Sequence, residues 1–146
     1  MQIRTLQDLR KSNIHRLKEK FEKINGHSIT VGVHKKDNKP YPDRDITPAQ
    51  VGFFHEYGTS KMVARVWLRI FSLISSEKKD FFDKIKNLFT KEQNADIILD
   101  RAGEYQKEKI VGRIKTDKVT PPSKNKTGIT LVDTAHFVNS IDYEVH

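Results

Sequence analysis

The sequence predicts an α+β fold: a small antiparallel β-sheet packed against a long α-helix, with further N-terminal and central helices. Three observations carry this. Residues 28–33 and 140–145 alternate apolar and polar side chains with the period of a strand. Residues 68–90 hold Leu68, Phe71, Ile74, Phe81, Ile85 and Leu88 on one helical face. The first two dozen residues repeat apolar side chains at helical spacing. A chain of 146 residues is long enough for one modest core, so 1–146 reads as a single domain.

Ile14, Leu17, Phe21 and Ile24 follow a three, four, three spacing that extends back through Leu6 and Ile3, giving a helix over 3–24. Asn25-Gly26 ends it. Ile29, Val31 and Val33 then share one face of a strand. Residues 34–47 form a polar loop with two prolines, long enough to be flexible or functional. Thr47-Pro48-Ala49-Gln50 has the form of a helix start: a capping hydroxyl, a proline in the first turn, and a glutamine able to close a capping box. Gly58 supplies the terminating residue ten positions on, so 48–57 is a helix. Val51, Phe54 and Tyr57 are expected on its packed face and Glu56 on another.

An extended segment or strand near 62–67 leads into the long helix, in which Lys78 interrupts the stripe. The long helix is expected to lie across the sheet. Asn94 can cap a further helix over 95–115, whose stripe of Ile98, Ala102, Tyr105 and Ile110 is weaker. Residues 116–130 read as a second flexible, net basic segment, followed by a short turn of helix near 134–139 and the last strand.

Composition narrows the function. With no cysteine, the chain has no disulfide, thiolate metal site or cysteine nucleophile, which suits a reducing compartment. No apolar run suggests a signal peptide or a membrane span, so no membrane partner is expected. The net charge of +8 favours polyanionic partners. The lysines are spread along the chain, which suits non-specific contact with DNA better than sequence readout. His15, His27, His34, His55, His136 and His146 include no i, i+4 pair, so no metal site is expected. His55 and Glu56 are helix neighbours pointing in different directions, which argues against an acid–base pair. Asp43, Arg44 and Asp45 read as solvated turn residues. Nothing assembles a nucleophile, base and oxyanion hole, so neither catalysis nor a cofactor is expected.

Three motifs are more specific. They are Glu56-Tyr57-Gly58-Thr59; Ala64-Arg65-Val66-Trp67-Leu68-Arg69; and, in 131–143, Leu131, Thr134, Ala135, Ser140 and Ile141. Their order and spacing resemble the tail-completion and neck proteins of long-tailed bacteriophages, also described as head–tail joining, minor tail or virion-morphogenesis proteins. The resemblance covers roughly 45–145. Val66 stands where that family usually has proline. Ala135 stands where it usually has glycine, so the turn there is expected to avoid positive φ.

The resemblance implies a non-enzymatic virion protein. It would form a ring at the head–tail junction, six-fold in preference to twelve-fold, through which DNA passes. Its partners would be itself, the adjoining head-connector and tail proteins, and packaged DNA by non-specific contact. It would be assembled in the host cytoplasm. Structural or interface roles are expected for Glu56, Tyr57, Gly58, Thr59, Arg65, Trp67, Arg69, Thr134 and Ser140. Arg65 can offer its planar fork to Glu56, clamping the loop 58–64, or to a carboxylate on an adjacent subunit; the clamp is favoured. Trp67 reads as core ahead of interface anchor. The alternative function is a small basic nucleic-acid-binding protein, such as an RNA-targeting toxin or regulator. The charge supports that alternative, and the lack of aromatic side chains among the basic runs argues against it. A nuclease is the weaker third reading.

Overall fold

The computed structural model describes residues 6–92, 94–116 and 135–146. Its elements are α1 (Leu6–Ile24), β1 (Ile29–Val33), α2 (Pro48–Tyr57), α3 (Ile70–Leu73), α4 (Ser75–Lys91), α5 (Ala95–Lys115), α6 (His136–Asn139) and β2 (Ile141–Val145). The fold is α+β, with a two-stranded antiparallel sheet and a long helix against it.

The strands pair with Ile29 opposite Val145, Val31 opposite Tyr143 and Val33 opposite Ile141. Directly opposed residues share a face, so this register gathers the apolar side chains on one side of the sheet. Thr30 and Gly32 oppose Glu144 and Asp142 on the other side. There Lys36 reaches both carboxylates, at 3.3 Å from Asp142 and 3.4 Å from Glu144. Lys107 lies 2.9 Å from Asp142, and this bond chiefly holds the Asp142 carboxyl down to about 2.

The helix across the sheet is α5, which corrects the expectation that residues 68–90 would occupy that place. Those residues form two helices. Ile74 is extended (φ −93°, ψ 119°) and separates the single turn α3 from α4. The amphipathic α4 packs on α5, through Leu88, Ile85 and Phe89 beside Ile98 and Ala102. Arg113 and Glu77 tie the two helices at 2.5 Å.

α5 earns its place through small residues. A Cβ on Gly103 would fall 2.3 Å from the Tyr143 ring, so the helix and β2 approach more closely than any side chain there would permit. A periodicity of large apolar residues gives little weight to Ala102 and Gly103, and the stripe therefore reads as weak.

The second part of the core is Trp67, Ile110, Ile114, Phe137, Val138 and Ile141, with Val31, Val33, Val51 and Phe71 packed against it. The capping signals at Thr47 and Asn94 are realised. Thr47 and Gln50 form a reciprocal capping box, and Asn94 Oδ1 accepts the Asp96 N–H at 2.9 Å. The loop 34–47 touches α2 and α6: Asn38 Oδ1 accepts the Ala49 N–H at 2.9 Å, and the Tyr41 ring lies 4.5 Å from that of His136. Residues 62–67 form no strand: 62 and 67 are bends and 63–66 lie in no regular element.

Ala135 overturns a second expectation. Its φ is +57° and ψ −10°, a left-handed conformation that costs an L-residue about 1–2 kcal/mol. The chain adopts it to start α6 immediately, with the Asn139 N–H bonded to the Ala135 carbonyl at 2.9 Å. That turn drops Phe137 and Val138 into the core. Of the segment expected to be flexible at 116–130, all but residue 116 lies outside the described residues, as does Thr134. Among the described residues, no helix is long and apolar enough to cross a membrane.

Candidate functional site

Residues of the first two motifs meet around one carboxylate. Glu56 is on the last turn of α2 and is only 4% exposed. Its Oε2 accepts the backbone N–H groups of Trp67 and Leu68, both at 2.9 Å. Its Oε1 accepts the Arg69 N–H at 3.0 Å and Arg69 Nε–H at 2.8 Å. Arg69 Nη2 also donates to the Glu56 carbonyl at 3.0 Å. Three consecutive N–H groups just before α3 would otherwise be orphaned, so Glu56 caps that helix from a distant part of the chain. Burial pushes the Glu56 carboxyl up, but the N–H groups of Leu68 and Trp67 and the Arg69 guanidinium together hold it below its ordinary value.

The partner of Glu56 is thus Arg69, not Arg65, which corrects the expected pairing. Arg65 is buried, and its N–H donates to the His55 carbonyl at 2.6 Å. Burial first, and the Arg65 charge second, push the His55 imidazole down to about 4. His55 Nδ1 is buried without a hydrogen-bond partner. His55 is therefore neutral at pH 7.

The loop between the first two motifs closes on itself. Gly58 has φ +78°, and its N–H caps α2 on the Phe54 carbonyl at 2.8 Å. A Cβ there would lie 2.8 Å from both Ala64 N and the Met62 carbonyl oxygen, so glycine is required twice over, by conformation and by space. The Thr59 N–H donates to the Met62 carbonyl at 2.8 Å, and Thr59 Oγ1 accepts the Lys61 N–H at 3.2 Å.

Trp67 is core. Its Nε1–H donates to the Gly52 carbonyl at 2.8 Å, and its ring meets Phe137 edge-on with centroids 5.0 Å apart. Phe137 lies between Ala135 and Ser140, so the third motif joins the first two through this ring pair. Ser140 is buried, and its Oγ–H donates to the Phe137 carbonyl at 2.7 Å, closing α6. Gly52 and Phe137 went unassigned from sequence, although both belong to this cluster. A glycine in mid-helix is the signal for Gly52: a Cβ would sit 2.8 Å from the Phe137 ring.

The orientation of α2 reverses the expected one. Glu56, Gly52 and Pro48 are buried, whereas Phe53, Phe54 and Tyr57 are exposed. Val51 does pack inward. The Phe53 and Tyr57 rings meet at a tilt with centroids 4.8 Å apart, and the Arg69 guanidinium lies 4.8 Å over the Tyr57 ring. Arg69 therefore joins the buried carboxylate to an exposed aromatic ridge. The arrangement can fix a loop and present apolar surface. Among the described residues, no group of acids and histidines could hold a metal ion. No family model matches the chain, and neither does any curated protein or solved structure.

Proposed function

We propose that this chain is a structural virion protein of a tailed bacteriophage, forming a ring at the head–tail junction through which DNA passes. The observation that carries the reading is the convergence of the three motifs. Among the described residues, Glu56 and Arg69 bind one another, the Trp67 and Phe137 rings join the third motif to them, and the aromatic side chains of the same helix as Glu56 face outward. Such a unit suits a part that must keep its shape and bind neighbours. Exposed, contiguous apolar side chains of this kind mark protein interfaces. The charge of +8 supports non-specific attraction to DNA passing through the ring. The same charge favours the alternative, a basic nucleic-acid-binding protein, but the aromatic ridge carries a single arginine and no lysine row to track a phosphate backbone.

Deletion of the gene from its phage tests the proposal. DNA-filled heads and assembled tails that fail to unite are expected. Normal, infectious particles without the protein would overturn it.

A further inference from the structure

Helix α1 stands off the body. Every described side chain in 10–19 is exposed, on all sides of the helix, over a length of about 15 Å. Among the described residues of this helix, the anchors lie at its root: Lys20 Nζ donates to the Phe89 carbonyl at 3.0 Å, and the Phe21 ring stacks on Phe89 at 5.0 Å. An isolated helix of this length is marginal in water, so the projecting half gains its stability from whatever covers it. Its stripe is apolar, with Ile14 66% and Leu17 46% exposed. Lys11 and Lys18 lie along one side of the stripe, where Lys18 also pairs with Glu22 at 3.6 Å, while Glu19 falls on the opposite side of the helix.

The same fold carries a complementary surface. A cavity of about 530 Å³ opens where the first turns of α5 meet the end of β2. Ile97, Leu99 and Val145 supply its apolar lining, Asp96 and Asp100 its acidic groups, and His27 and His146 complete it; Asp100 Oδ1 also accepts the Tyr143 hydroxyl at 2.6 Å. Those two acids begin an exposed row that continues at four-residue intervals through Glu104 and Glu108, in a chain that is otherwise strongly basic.

We propose that the projecting half of α1 docks, through Ile14 and Leu17, into the acid-rimmed apolar cavity at the start of α5 on a second copy of this chain. Lysines beside the stripe meet aspartates beside the cavity. A phosphate backbone would engage the lysines but leave Ile14 and Leu17 in water, so a protein partner fits better than DNA. The contact joins two different surfaces, and repetition of such a contact builds a ring when the rotation closes. The inference thus deepens the ring reading by giving its repeated contact.

The chain has no native cysteine, so a pair of introduced thiols reports the contact cleanly. One tagged chain carries Leu17→Cys and a second, of different mass, carries Ile97→Cys. Mild oxidation of the mixture should give the mixed disulfide, at least about tenfold above a control pairing Leu17→Cys with Asn87→Cys. Adding Asp96→Lys and Asp100→Lys to the Ile97→Cys chain should remove that excess. Predominance of the Leu17→Cys homodimer would show α1 pairing with itself and overturn the proposal. So would a mixed product no greater than the control, including the case in which the chain sediments with anionic vesicles instead. Failure here leaves the ring reading standing, because that reading is tested by the particles formed without the protein.

Discussion

At the scale of the residue, Glu56 shows how a buried charge becomes a structural element. Its carboxylate is tied to three backbone N–H groups and one guanidinium, and all of these bonds are charge-assisted. Glu56→Gln puts an amide N–H against backbone donors and should cost about 3 kcal/mol of stability. Arg69→Met leaves the three backbone donors in place and should cost less than half as much. Equal losses for the two, in urea unfolding at pH 7, would mean that the ion pair and not the cap holds the loop. His55 makes a separate prediction. Its folded value of about 4 lies below the unfolded 6.5, so the unfolded chain binds the proton first as pH falls. Stability should therefore decline between pH 6.5 and 4, by about 2 kcal/mol from pH 7 to pH 5. His55→Gln should abolish that part of the slope. Glu56 and Asp142, both held below their ordinary values, add losses at lower pH, below the unfolded carboxylate range. Spacing in the sequence suggested that Glu56 could meet an arginine. It pointed to Arg65 where the structure has Arg69, because the pairing depends on how residues 58–64 fold back. Nor could it foresee that Ala135 would take a left-handed conformation, a cost set against the burial of Phe137 and Val138.

At the scale of the element, local signals were readable and tertiary assignments were not. The bounds of α2 and α5 follow from Thr47, Gly58 and Asn94, whose chemistry is local. The two strands follow from their alternation. The face α2 buries did not follow, because a glycine and a capped glutamate lie inward while its aromatic residues face solvent. The helix that covers the sheet did not follow either, since close approach uses Ala102 and Gly103, which a periodicity of large side chains does not register. Two glycines of α5 test this with opposite signs. Gly103→Ala gains helix propensity but drives a methyl into the Tyr143 ring, and should lose about 1 kcal/mol net. Gly112→Ala meets nothing within 4 Å and should gain up to about 1 kcal/mol. Thermal melts of the two variants, run together, check the pair; a gain for both would mean that α5 does not lie against β2 as described.

At the scale of the whole molecule, the exposed apolar side chains among the described residues include those of the α2 aromatic ridge and of the projecting half of α1. Both suit a protein that works by contact with neighbours. The described residues of the motifs, joined through the Glu56–Arg69 pair and the Trp67–Phe137 rings, point the same way. If this chain is, as proposed, a stoichiometric part of a phage particle at the head–tail junction, cryo-electron microscopy of the parent virion should show it there. A closed ring of copies between head connector and tail tube is expected, with α2 aromatic side chains against a neighbouring protein. A virion whose junction is fully accounted for by other chains, and which lacks this one, would contradict it.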